Sequence, residues 1–162
     1  MNCFPKGMAL VCLLFAGACM TPETPKTPET FVSLQSTPAV NIAAGSEQTA
    51  FLDFEIADGY HILADHGEDT ALRFTKLSIE GNDQIQVGEP RFPEPTTYDV
   101  SDTDYQLGIF ENDLAVSIPL SVREGAAHGK HRLAGTLSYQ MCNPKKCFFP
   151  RELDFQLEVR VP

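Results

Sequence analysis

The stretch Leu153-Asp-Phe-Gln-Leu-Glu-Val-Arg-Val161 places an apolar side chain at every second position and Asp154, Gln156, Glu158 and Arg160 between them. Successive side chains of a strand point to opposite faces, so this spacing describes a strand with one buried and one wet face. The same period recurs upstream. Leu52, Phe54 and Ile56 alternate with Asp53 and Glu55, and Leu114, Val116, Ile118, Leu120 and Val122 alternate with smaller or polar residues. Leu133, Leu137, Tyr139 and Met141 form a fourth series, with Arg132, Thr136, Ser138 and Gln140 between them. No stretch sustains a helical period.

Turn signals separate these runs at Asp58-Gly59, Glu80-Gly-Asn-Asp83, Glu111-Asn-Asp113 and Glu124-Gly125. Short strands at this spacing predict an all-β, immunoglobulin-like antiparallel β-sandwich over residues 31–162. In the run Leu72, Phe74, Leu77, Ile79 the parity changes, which predicts a β-bulge near Thr75 and Lys76. Pro119 has no N–H for a ladder, so its strand is expected to be an edge or to be interrupted there. The segment from Glu89 to Gln106 is rich in proline and carboxylates and is expected to be a long irregular loop, with Tyr98 and Tyr105 as its aromatic side chains.

The N-terminus reads differently. Lys6 precedes the apolar run Met8–Ala16 and the small residues Gly17 and Ala18, so residues 1–18 are expected to be a secretory signal peptide. The run is too short to cross a bilayer, which takes about 20 apolar residues. Ala16-Gly-Ala-Cys19 is similar to a bacterial lipobox, which implies a lipid on Cys19. The sequence that follows, TPETPKTPET from Thr21 to Thr30, has no apolar side chain. Its prolines favour extended polyproline II, so residues 19–30 are expected to be a lipidated cysteine and a spacer of roughly 30 Å.

The chain of 162 residues carries a formal charge of -10, with 12 basic and 22 acidic side chains. That balance argues against nucleic acid and against anionic lipid headgroups as partners.

Cys142 and Cys147 are the cysteines that remain beyond Cys19, in Tyr139-Gln-Met-Cys-Asn-Pro-Lys-Lys-Cys-Phe-Phe-Pro150. In an exported protein a disulfide between them is the default expectation. A bridge closing so few residues restricts the unfolded chain by only about 2 kcal/mol, which makes it a weak staple. Lys145 and Lys146 precede Cys147, and nearby cations favour a thiolate. Counting from Tyr139 and Met141 as inward, Cys142 falls on the solvent face with Ser138 and Gln140. These residues leave an exchangeable and a structural bridge both open. Zinc would need more ligands than two thiolates, C-x4-C is not a usual zinc spacing, and His128-Gly-Lys-His131 reads as the cap of a solvent loop. No metal and no cofactor is expected.

The motif Tyr139-Gln140-x-Cys142-x4-Cys147-x-x-Pro150 resembles the N-terminal periplasmic domain of DsbD-type thiol:disulfide interchange proteins. Asp58-Gly-Tyr-His-Ile62 is similar to that family's strand opening, and Gly88-Glu-Pro90 with Phe92-Pro-x-Pro95 to the segment before its active-site loop. The resemblance implies an immunoglobulin-like fold that relays electrons between thioredoxin-like proteins in the periplasm. It implies Cys147 as the residue forming the mixed disulfide and Cys142 as the one resolving it, with Tyr139 and Lys146 alongside. It also implies a cap-loop aromatic over the pair, Tyr98 before Tyr105. His61 and Leu63 occupy positions where relatives place tyrosines, although an ordinary surface histidine is the plainer reading of His61. Multi-domain relatives continue into a membrane conduit, so a chain ending at Pro162 is expected to take electrons from a separate membrane donor. The competing expectation is a non-catalytic lipoprotein, a binding or scaffold module whose bridge only pins a hairpin.

Overall fold

In the computed structural model, which describes residues 30–36, 39–64, 72–100, 104 and 106–162, every regular element is a strand. In chain order these are β1 (Val32–Ser36), β2 (Val40–Asn41), β3 (Glu47–Ile56), β4 (His61–Leu63), β5 (Lys76–Ile79), β6 (Ile85–Val87) and β7 (Thr96–Asp99). They continue with β8 (Gln106–Phe110), β9 (Asp113–Val122), β10 (Gly129–Tyr139), β11 (Met141–Asn143), β12 (Lys146–Cys147) and β13 (Arg151–Val161). The signal peptide, Cys19, the Thr/Pro spacer up to residue 29 and Tyr105 lie outside the described residues.

Three sheets form, with orders β1-β3-β9-β6, β2-β13-β10-β5 and β12-β11-β4-β8-β7. The first two are faces of an immunoglobulin-like antiparallel sandwich, and the alternating residues named above fill the space between them. Leu52, Phe54, Leu114, Val116, Ile118, Leu133, Leu137, Leu157 and Val159 are all fully or nearly fully buried. Removing each such side chain from water is worth about 1.5–3 kcal/mol, and that sum is what makes the period-two pattern decisive. One pairing departs from the antiparallel rule: β2 lies parallel to β13, Val40 opposite Val159.

The predicted turns are where the chain reverses. Gly59 and Gly125 adopt φ of 77° and 73°, a region that costs glycine nothing. Asn112, at φ 60°, passes the chain from β8 to β9, and its carbonyl accepts from Ile56 N–H at 2.7 Å.

Three local expectations are corrected. The parity change near Thr75 is a change of sheet, not a bulge. Thr75 N–H and Oγ1 both donate to Leu63 O, on β4 of the third sheet, at 2.8 and 2.7 Å. From Lys76 the chain runs in the second sheet. Leu72 and Phe74 therefore pack on one apolar cluster and Leu77 on another.

Pro119 does not mark an edge, because β9 runs unbroken between β3 and β6. Ser117 exchanges both backbone bonds with Arg91, and alternation turns Pro119 the same way, toward Gly88, whose N–H donates to Pro119 O at 2.8 Å. The missing donor thus faces the place where β6 has just ended, and only that ladder stops.

The segment from Glu89 to Gln106 is not wholly irregular. Thr96–Asp99 pairs with β8, Tyr98 opposite Leu107, and Gln106 Nε2 donates to Asp99 Oδ1 at 2.7 Å. Prolines cluster ahead of this strand and leave its own N–H groups intact.

Candidate functional site

The site lies where β10 stops. At Gln140 the chain leaves the second sheet, and Met141 to Asn143 join the third. Gln140 makes this crossing rigid. Its buried amide accepts from Arg73 N–H at 2.7 Å and donates to Phe148 O at 3.0 Å, while its backbone carbonyl accepts from Leu63 N–H at 3.2 Å. A buried amide with both ends engaged stabilises three segments at once.

β11 and β12 form a hairpin with a two-residue loop, Pro144-Lys145, in which Cys142 stands opposite Cys147 and Asn143 opposite Lys146. Neither loop residue has a positive φ, so the turn is of the unprimed kind, which suits proline at its second position and asparagine at its first. Asn143 Oδ1 accepts from Lys145 N–H and Lys146 N–H, at 2.9 and 3.0 Å, closing an Asx turn. The two sulfurs are bonded, and the Cα atoms of the pair are 3.9 Å apart.

The two cysteines are unequal. Cys147 is exposed on β12, the terminal strand of its sheet. Cys142 is only 2% exposed and belongs to a small apolar cluster with Leu63, Leu107 and Ile109, distinct from the main core. The parity argument is correct that Cys142 and Met141 point to opposite faces, since Met141 packs in the main core. The second face is not solvent, because Cys142 clusters there with Leu63, Leu107 and Ile109, and Leu72, Phe74 and the half-buried Tyr98 pack against them.

His61 stands directly opposite Cys142 across the β4–β11 ladder. It is not a surface histidine, being 6% exposed, and its ring packs on that of Tyr98 with centroids 4.7 Å apart. Burial lowers its pKa below the ordinary 6.5, and the Glu111 carboxylate partly opposes this. A neutral imidazole is therefore favoured beside the sulfurs, where it offers an acceptor nitrogen and no charge.

A groove of ≈ 240 Å³ opens over the pair, lined by His61, Tyr98, Leu107, Asn143, both lysines of the turn and the two cysteines. The structure brings Cys142, Cys147, His61, Tyr98 and Lys146 to this one place. Tyr139 is elsewhere: it packs in the main core and pairs with Arg151, and burial raises its hydroxyl pKa while Arg151 lowers it. The histidines of His128-Gly-Lys-His131 face backbone, His128 Nδ1 meeting Pro162 O and His131 Nε2 meeting Ala127 O at 2.8 Å.

Behind the hairpin, Phe148 packs with Phe31 and Tyr60, centroids 5.4 and 5.9 Å away. Two cations sit on this aromatic set: Lys146 Nζ is 4.7 Å from the Phe148 centroid, and Arg151 Cζ is 4.6 Å from that of Phe31. Such contacts are worth about 0.5–1 kcal/mol each at exposed sites, enough to bias where the charges rest.

Sequence reading missed Gln140 as the residue that sets the crossing. Its signal was its place inside the quoted cysteine motif, where strand parity alone gave it to solvent.

The family described as "Thiol:disulfide interchange protein DsbD, N-terminal" matches residues 28–158. Among solved structures, the N-terminal domain of Neisseria meningitidis DsbD in its reduced form is similar at 19% identity and a TM-score of 0.47, over 72% of this chain and 82% of that one. The N-terminal periplasmic domain of ScsB from Proteus mirabilis gives 14% identity and a TM-score of 0.46, over 75% of this chain and 43% of the other. A PapD-like domain of human CEP192 gives 16% and 0.42, over 97% and 98%. No individually curated protein matches. On the extent of the family match, the chain belongs to the DsbD N-terminal domain family, which acts in thiol–disulfide exchange.

Proposed function

We propose that this domain relays electrons between thioredoxin-like proteins of the bacterial periplasm through the Cys142–Cys147 pair. The observation that carries the reading is the asymmetry of the pair, an exposed cysteine on a terminal strand bonded to a buried one that stands opposite His61.

In the accepting direction, a partner thiolate attacks Cys147 Sγ, the Cys147–Cys142 bond breaks, and Cys142 leaves as a thiolate that takes a proton from water. The partner's second thiolate then attacks its own sulfur in the mixed disulfide and releases Cys147 as a thiolate. Two electrons pass to this domain and the partner's dithiol becomes a disulfide. The reverse sequence donates them, with Cys147 as nucleophile and Cys142 resolving. Lys145 and Lys146 favour the Cys147 thiolate in that direction.

Residues 1–18 act in this reading as an export signal, Cys19 carries a lipid, and residues 19–30 hold the domain 31–162 off the membrane. Tethering raises the effective concentration of membrane-bound partners.

The test is trapping. Cys142→Ser leaves Cys147 unable to be resolved, so a covalent adduct with a thioredoxin-like protein should accumulate in the native envelope and vanish on reduction. No adduct in that strain, with Cys147 shown to be free and alkylatable, rules the relay out. Palmitate labelling of the wild type but not of Cys19→Ala checks the anchor.

A further inference from the structure

The hairpin end of the molecule has a charge opposite to the rest. The thirteen residues from Tyr139 to Arg151 carry Lys145, Lys146 and Arg151 and no carboxylate, whereas the other residues carry 9 basic against 22 acidic groups. The next residue, Glu152, lies opposite Ser138 within the second sheet and accepts from its hydroxyl at 3.4 Å. Lys146 and Arg151 are not free to wander, since each rests on a ring of the Phe31–Phe148 set.

An exposed apolar side chain lies between these cations in the chain. Phe148 and Phe149 are neighbours with opposite fates: Phe148 packs against Phe31 and Tyr60, while Phe149 is 91% exposed. Phe149 follows the exposed Cys147 by two residues. A large side chain so fully in water is informative when its neighbours in the chain are a reactive cysteine and three like charges.

We propose that Phe149, with Lys145, Lys146 and Arg151, forms a docking surface for a thiol protein whose reactive cysteine is bordered by carboxylates and an apolar recess. The inference rests on the exchange reading above and specifies its partner. The recess takes the Phe149 ring, the carboxylates meet the three cations, and the register so set brings the partner's thiolate to Cys147 rather than to the buried Cys142. The partner is locally acidic because this segment carries three cations and no carboxylate. Elsewhere the acidic surface of this chain repels the same partner, so the orientation is selected by charge as well as by shape.

Three thiol peptides test this on the oxidised domain: Glu-Leu-Cys-Leu-Glu, Lys-Leu-Cys-Leu-Lys and Glu-Gly-Cys-Gly-Glu. Each rate of disulfide opening is corrected for the peptide's own thiolate fraction and compared with that of uncharged dithiothreitol. The acidic leucine peptide should react about tenfold faster than the basic one at low salt, with most of the difference gone near 1 M salt. Lys145→Glu with Arg151→Glu should abolish or invert that ratio. Phe149→Ser should slow the leucine peptide about fivefold and the glycine peptide little, with the dithiothreitol rate unchanged.

Equal rates for the acidic and basic peptides overturn the proposal. So does a Phe149→Ser variant that keeps the wild-type ratio of leucine to glycine peptide. If dithiothreitol itself fails to open the bond, the failure belongs to the exchange reading, and the docking surface falls with it.

Discussion

Cys142 and His61 stand face to face across the β11–β4 ladder, and His61 carries Tyr98 on its ring. Cys142, His61 and Tyr98 thereby gather within one sheet, and of the two cysteines Cys147 is the exposed one.

Tyr98 should act as a lid on Cys142. In a Cys147→Ser background the lone Cys142 thiol should alkylate slowly, and adding Tyr98→Ala should raise its rate with iodoacetamide by about tenfold, as burial is traded for access. An unchanged rate would mean that Leu63, Leu107 and Ile109 seal the sulfur without help from the tyrosine.

His61 should impose a pH dependence on stability. Its pKa is lowered on folding by burial, so between that lowered value and 6.5 the unfolded chain binds more protons than the folded one. Stability therefore rises with pH through this window, and the penalty is fully present below the folded value and absent above about 6.5. Urea midpoints from pH 4 to 8 should lose this slope in His61→Phe. A slope that survives the substitution belongs to other groups.

Gln140→Leu should cost about 1–3 kcal/mol, because it removes the buried side-chain amide that engages both Arg73 N–H and Phe148 O. Beyond the shift in urea midpoint, hydrogen exchange at the Arg73 amide should accelerate, a local signature that a merely smaller core would not give.

Gly135 lies under the ring of Phe155, its partner across the β10–β13 ladder, and a Cβ there would come within 2.4 Å of the ring. Gly135→Ala should destabilise by about 1–2 kcal/mol, since Phe155 must leave its edge contact with Phe54. The penalty should shrink in the double variant with Phe155→Ala, a coupling that calorimetry of the four proteins would measure.

Reducing the disulfide should cost about 2 kcal/mol in the chain-entropy account and leave the domain folded, because the main core is built from β3, β9, β10 and β13 without it. Loss of the native fold on reduction would favour a bridge kept for structure. So would a reduction potential well below about -300 mV.

Much of this was legible along the chain. Alternation at 52–56, 114–122, 133–141 and 153–161 marked the strands of both sandwich faces, and Asp58-Gly59 and Glu124-Gly125 marked turns that the backbone makes with positive φ. The motif around Cys142 and Cys147 pointed to the bonded pair. Tyr98 was named for its place in a proline-rich segment, not for the strand that holds it. Tyr139 was drawn into the site by proximity in the motif, yet its side chain faces the other side of the crossing at Gln140.

Sequence by itself determined the long strands of the two sandwich faces, the spacing of Cys142 and Cys147 and the sign of the charge in their segment, because these follow from local period, composition and spacing. Tertiary structure alone decided that the face carrying Cys142 is covered, that His61 is buried, and that only Cys147 meets solvent. The reason is physical: alternation states that two neighbours point opposite ways, but what lies beyond each face is supplied by chain some 35 to 80 residues distant in order. His61, Tyr98 and Leu107 reach the sulfurs only once β4, β7 and β8 have paired into the sheet that holds β11 and β12.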